Sequence, residues 1–127
     1  MSTTQPTQLI FKVESTPIHN ILLGIGVPPN LLGYSYILYA LQLILLQPDY
    51  MHAITKELYE DIARKYCTSS TRVERNIRTA IQTTWLYGNV EMINRLFQNS
   101  VRLDKGYPTN SMFLARLYYY ISNTEAR

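Results

Sequence analysis

Three arginines stand at evenly spaced positions, Arg72, Arg75 and Arg78, with Glu74 among them and Ser70, Thr71, Thr79 and Gln82 on either side. A guanidinium is a planar fork that donates two hydrogen bonds to the O6 and N7 of guanine, or grips a phosphate. A carboxylate in their midst accepts from a cytosine amino group and repels the wrong base. The chemistry within reach of this set is recognition of nucleic acid. One bidentate contact to a base edge is worth roughly 1–3 kcal/mol of discrimination, so two of these arginines suffice for selective binding.

Such residues need a rigid element beneath them. On a helical wheel, Val73, Ile77, Ala80, Ile81 and Thr84 share one arc, and Arg72, Arg75, Arg78, Thr79 and Gln82 the opposite one. The pattern predicts a helix over Thr71–Tyr87, begun within Thr68-Ser69-Ser70, with Thr71 and Glu74 fitting a capping box. Gly88-Asn89 then supplies the left-handed residue that commonly ends a helix. Trp85 is expected to anchor this helix to the core. Ahead of it, Ile54, Leu58, Ile62 and Ala63 recur at helical spacing, with Lys56, Glu57, Glu60 and Asp61 on the other side. That reads as an amphipathic helix from about Tyr50 to Tyr66, or two short ones in succession. Two helices joined by a few residues, the first acidic outside and the second basic, outline a helix-turn-helix.

The remaining segments are helical as well. A first helix is expected from Thr16, with Pro17 at its first position, to Leu23, closed by Gly24-Ile25-Gly26 and the Pro28-Pro29 turn. A second runs from after Gly33 to Leu46 and stops at Gln47-Pro48-Asp49; its apolar residues cover nearly every side, as in a central core helix. Val90–Phe97 and Ser111–Ile121 complete the set. The expected fold class is therefore all-α, a compact domain of about six helices containing a helix-turn-helix. Residues 1–15 read as a flexible N-terminal tail and 16–127 as a single domain. The basic, polar stretch Asn99–Asn110 reads as a β-like wing or a functional loop, from which Lys105, with Arg102, reaches phosphate or the minor groove.

Composition narrows the function classes. The chain has 127 residues, 46% of them hydrophobic, which is enough for one ordinary core. Its net charge of +3 is unevenly spread. Residues 1–63 carry Lys12 and Lys56 against Glu14, Asp49, Glu57, Glu60 and Asp61, whereas ten of the twelve lysines and arginines fall in the remainder. A polyanion would dock on the second half. Cys67 is the sole cysteine, so no intramolecular disulfide forms and a reducing cytoplasm is the expected compartment. Cys67 is expected to close a helix as a small, half-buried residue. His19 and His52 stand apart without ligand spacing, which points to packing or surface roles, no metal and no cofactor. No paired carboxylates, no nucleophile with a base and no phosphate-cradling glycine loop can be assembled, so an enzyme is not expected. The apolar run Tyr34–Leu46 is shorter than the roughly 20 residues that span a bilayer, and the N-terminus lacks the pattern of a secretion signal.

Four blocks, in order, resemble a known family. They are Gly26-Val27-Pro28 with Gly33-Tyr34-Ser35-Tyr36; Ile54 through Ala63; Arg72-Val73-Glu74-Arg75-Asn76-Ile77-Arg78-Thr79-Ala80-Ile81 with Trp85 and Gly88-Asn89; and Pro108 through Ser111 with Phe113 and Ala115. The chain is similar over about Ile18 to Ile121 to the C-terminal DNA-binding domain of the response regulator that initiates sporulation in endospore-forming bacteria, the stage zero sporulation protein A family. The resemblance implies a six-helix-type fold that binds short promoter boxes, often in tandem, and activates or represses transcription with RNA polymerase. It assigns the major-groove role to Arg72, Glu74, Arg75 and Arg78. It also makes Gly88, Asn89 and Glu91, after the recognition helix, candidates for contact with the polymerase sigma subunit. Thr79 departs from the family's usual histidine, which would shift box preference. The family's receiver domain has no counterpart in these residues, which represent either an excised domain or a natural relative without a receiver.

The expected DNA-binding set is thus Ser70, Thr71, Arg72, Glu74, Arg75, Arg78, Thr79, Gln82 and Lys105. The expected partners are double-stranded DNA, the sigma subunit, and a second copy in tandem on DNA. The competing reading is a protein-interaction module that modulates a full-length regulator or the sigma subunit without tight DNA binding. The arginine string argues against it, because a pure adaptor has no need of that face.

Overall fold

A computed structural model of the chain describes residues 15–97 and 106–125. Among the described residues the fold is all-α: α1 (Thr16–Ile25), α2 (Leu32–Leu46), α3 (Tyr59–Tyr66), α4 (Ser70–Tyr87), α5 (Val90–Phe97) and α6 (Asn110–Glu125), with two helical turns at Pro48–His52 and Ile54–Leu58. The expected number of helices and their order are found. The proposed tail apart from Ser15, and Lys105 with Arg102 and most of the 99–110 connection, lie outside the described residues.

The centre is α2. Tyr34, Ile37, Ala40, Leu41 and Ile44 are buried along it, and α1, α4 and α6 pack around it. Its approach to α4 is unusually close, because Gly33 faces the α4 backbone: a Cβ there would strike the carbonyl of Asn76 and come within 2.7 Å of Ala80 Cβ. One continuous core takes in residues from every α-helix, from Ile18 to Ile121.

The helix ends follow local chemistry. α1 runs two residues beyond its expected end and closes at Gly26, in the left-handed region at φ 93°, whose N–H bonds to the carbonyls of Leu22 and Leu23. The stretch expected as one or two helices from Tyr50 divides further. A tight 3-10 turn follows Pro48, and then both Glu57 N and Leu58 N donate to the Ala53 carbonyl, at 2.9 and 3.1 Å, giving a π-type turn that leads into α3. α3 ends on Cys67, the one non-glycine residue among those described with positive φ, at φ 54° and ψ 49°. Contrary to expectation Cys67 is exposed, since the left-handed turn directs its side chain away from the core.

Candidate nucleic-acid interface

α3 and α4 are joined by Cys67-Thr68-Ser69 alone, which is the helix-turn-helix the sequence outlines. α4 starts because Ser69 holds extended backbone and its Oγ accepts from Arg72 N at 3.2 Å. The expected capping box of Thr71 and Glu74 therefore does not form. Thr71 lies inside the first turn, and the Glu74 carboxylate binds Arg78 instead, at 2.5 Å. The other end also differs. Gly88 is extended (φ −81°, ψ −171°) and not left-handed, and its absence of a side chain serves close packing, since a Cβ would strike the carbonyls of Ile25 and Thr84. The adjacent Asn89 N–H donates to the Ile25 carbonyl at 3.0 Å, tying the end of α4 to α1.

Between these ends the wheel is realised. Val73, Ile77, Ala80, Ile81 and Thr84 are buried. Thr71, Arg72, Arg75, Arg78 and Thr79 are exposed on the other side, with Ser70 half-buried at the helix start. Arg72 and Arg75 point to solvent beside an Arg78 braced by Glu74, and the Glu74–Arg78 pair has the favourable i to i+4 order. Gln82 is half-buried and its Nε2 donates to Tyr107 Oη at 2.7 Å, which engages its amide within the protein. Trp85 anchors α4 as expected, edge-on to Phe97 and Phe113 at ring separations of 5.0 and 6.0 Å.

Further cations flank the turn, which the sequence reading passed over. Arg64, paired with Asp61, and Lys65, 5.1 Å from the Tyr39 ring and 5.7 Å from that of Tyr66, are exposed at the end of α3. Their place in the last turn of a helix suits the helix dipole, although Arg64 lies beside the carboxylates of Glu57, Glu60 and Asp61. Next to Glu74 and Arg78 lies an open cleft of about 300 Å³, lined also by Tyr59 and by Tyr107 to Ser111. Burial raises the Tyr59 phenol above its ordinary pKa, so it stays a neutral hydroxyl.

Beyond α4, Asn89 Oδ1 accepts from Met92 N and caps α5, and Asn89 and Glu91 are exposed while Gly88 is half-covered. Three apolar neighbours, Leu86, Tyr87 and Val90, are 73, 82 and 67% exposed. The signal for them was in the sequence: with Trp85 facing inward, a helix cannot also bury Leu86 and Tyr87.

Among the described residues no group of three or more histidine, cysteine, aspartate or glutamate side chains could hold a metal, and no helix is long and apolar enough to cross a membrane. A model of the family described as Sporulation initiation factor Spo0A C terminal matches residues 18–121. The match begins and ends at Ile18 and Ile121, the first and last core residues among those described, and includes both helices of the helix-turn-helix. With this fold and this match, the chain belongs to the Spo0A C-terminal family of sporulation-initiation DNA-binding effector domains, a family of regulators and not of enzymes.

Proposed function

We propose that the chain is a sequence-specific regulator of transcription that reads a promoter box by laying α4 in the major groove of double-stranded DNA. The observation that carries this is the division of α4 into a fully buried apolar arc and an exposed arc bearing Arg72, Arg75 and Arg78. Arg72 and Arg75 are the principal base readers. Arg78, braced by Glu74, reads a base or holds a phosphate next to them. Ser70, Thr71 and Thr79 contribute shorter hydrogen bonds, and Gln82 steadies the flank through Tyr107. Lys105 is proposed as a phosphate contact from the loop. The protein acts in the cytoplasm, as a tandem pair on DNA, without a cofactor.

The test is binding of a labelled duplex carrying the family's promoter box, against a scrambled duplex, at two salt concentrations. Box-selective binding that weakens steeply with salt is expected. Equal binding of both duplexes, or none, would remove the operator reading and favour the interaction-module alternative.

A second contact is supported by the exposed trio Leu86, Tyr87 and Val90, adjoining Asn89 and Glu91. An exposed apolar cluster at the end of a DNA-reading helix suits a protein partner held on the same DNA, and the polymerase sigma subunit is the partner proposed. Glu91 and Asn89 supply its polar rim, and Gly88 acts indirectly by packing the α4–α5 corner against α1.

A further inference from the structure

We propose that Asn110 is a positioning residue for sequence reading, one that sets the roll of α4 against α3 so that Glu74 and Arg78 meet the groove in a single orientation. The inference rests on the operator reading above. Asn110 is 8% exposed at the start of α6. Its Nδ2 donates both to Tyr59 Oη on α3, at 3.0 Å, and to the backbone carbonyl of Glu74 on α4, at 3.1 Å. One amide on a third helix thus bridges the two helices of the helix-turn-helix.

Three features give this bridge a role beyond holding the fold together. Its attachment point on α4 is the backbone of Glu74 itself, the residue whose carboxylate braces Arg78. A backbone carbonyl cannot follow its partner by changing rotamer, so a roll of α4 breaks the bond. Next, the flank between α4 and the Tyr107–Ser111 segment opens into a cleft of about 300 Å³ beside Glu74 and Arg78. The two Asn110 bonds therefore fasten the helix-turn-helix where packing is incomplete. Finally, Tyr59 is itself only 4% exposed, so the acceptor at the other end of the bridge is fixed in the core. Hydrogen bonds to base edges weaken steeply outside about 2.7–3.2 Å, so a small roll of the helix degrades base contacts while flexible arginines still reach phosphates.

The experiment compares the full chain with Asn110→Ala and with Tyr59→Phe, which keeps the ring and removes only the hydroxyl that accepts from Asn110. Amide hydrogen exchange is followed in the free protein, and affinity for box and scrambled duplexes is followed over a salt series. In Asn110→Ala, exchange should quicken in the 74–80 stretch of α4 while α2 stays protected. The preference for box over scrambled duplex should fall by about ten- to a hundredfold, as for a spoiled base contact, with the salt dependence unchanged. Tyr59→Phe should move both readouts in the same direction by less. A merely structural residue would lower affinity for both duplexes together, through the folded fraction, and leave their ratio intact. A folded variant with unaltered exchange in α4 and an unaltered ratio would overturn the proposal, and should Asn110→Ala not fold, Tyr59→Phe decides it. If the unmodified chain shows no preference between duplexes, the operator reading fails, and the exchange pattern still decides whether Asn110 positions α4.

Discussion

Cys67 carries a backbone conformation that side chains with a Cβ disfavour, at the one turn that must set the angle between α3 and α4. Left-handed backbone costs an ordinary residue roughly 1–2 kcal/mol, which glycine escapes at some entropic cost. Cys67→Gly is therefore expected to raise unfolding stability by about 0.5–1 kcal/mol, read as a higher urea midpoint at unchanged slope. An unchanged or lower midpoint would mean that the thiol makes up for the strain. At this scale the sequence was informative where periodicity speaks: the exposure of Arg72, Arg75 and Arg78 follows from 3.6-residue spacing and a strongly apolar opposite arc. It was ambiguous where several residues are chemically able to do one job. Ser69, Ser70 and Thr71 all make good caps, and Glu74 is as well placed for Arg78 as for the helix start. Which partner wins depends on the chain's direction on entering α4, and no local pattern encodes that.

The elements hold α4 by close backbone contact more than by size of side chain. Gly33 lets α2 lie against the backbone of α4 at Asn76, one residue from Arg75 and on the far side from the exposed arginines. Gly33→Ala forces the two helices apart; overpacking of this kind costs typically 1–3 kcal/mol, and it should weaken box binding in the molecules that still fold. Thermal unfolding and duplex titration together check this, and a Gly33→Ala protein of native stability would contradict the close approach. The segment before α3 has its own fastening, a hydrogen bond from the Tyr50 hydroxyl to the Asp61 carboxylate. Burial, then the bond and charge of Asp61, push the Tyr50 phenol up from 10.0 to about 12. Because the folded pKa is the raised one, the stabilisation is complete below pH 10.0 and is lost as pH rises toward about 12. Tyr50→Phe should flatten part of that alkaline decline in stability, measured by denaturant unfolding across the range. Helix types and order were legible because the apolar periodicity is strong, whereas the division of the Tyr50–Tyr66 stretch into 3-10, π and α turns was not, since it depends on which carbonyl of the preceding loop, here Ala53, lies within reach.

For the molecule as a whole, charge and topology agree. The negative half of the chain builds α1, α2 and the helical lead into α3, and the positive half begins at the end of α3, so the helix-turn-helix lies where the sign changes. The three arginines give α4 an exposed cationic stretch, while Leu86, Tyr87 and Val90 are exposed apolar residues at the far end of the same helix. At that end the resemblance singles out Gly88, Asn89 and Glu91, and the exposure of the apolar residues around them follows from the inward placement of Trp85. The arrangement suits a helix that reads DNA with its first half and presents its end to a protein partner. The central claim, that Arg75 reads a base, is tested most directly by measuring the affinity of the unmodified chain and of Arg75→Ala for a panel of promoter boxes, each altered at one base pair. The account predicts one position at which the unmodified chain loses affinity and Arg75→Ala becomes indifferent, with the other positions still discriminated; a mutant that keeps the whole profile at uniformly lower affinity would show that Arg75 holds only phosphate.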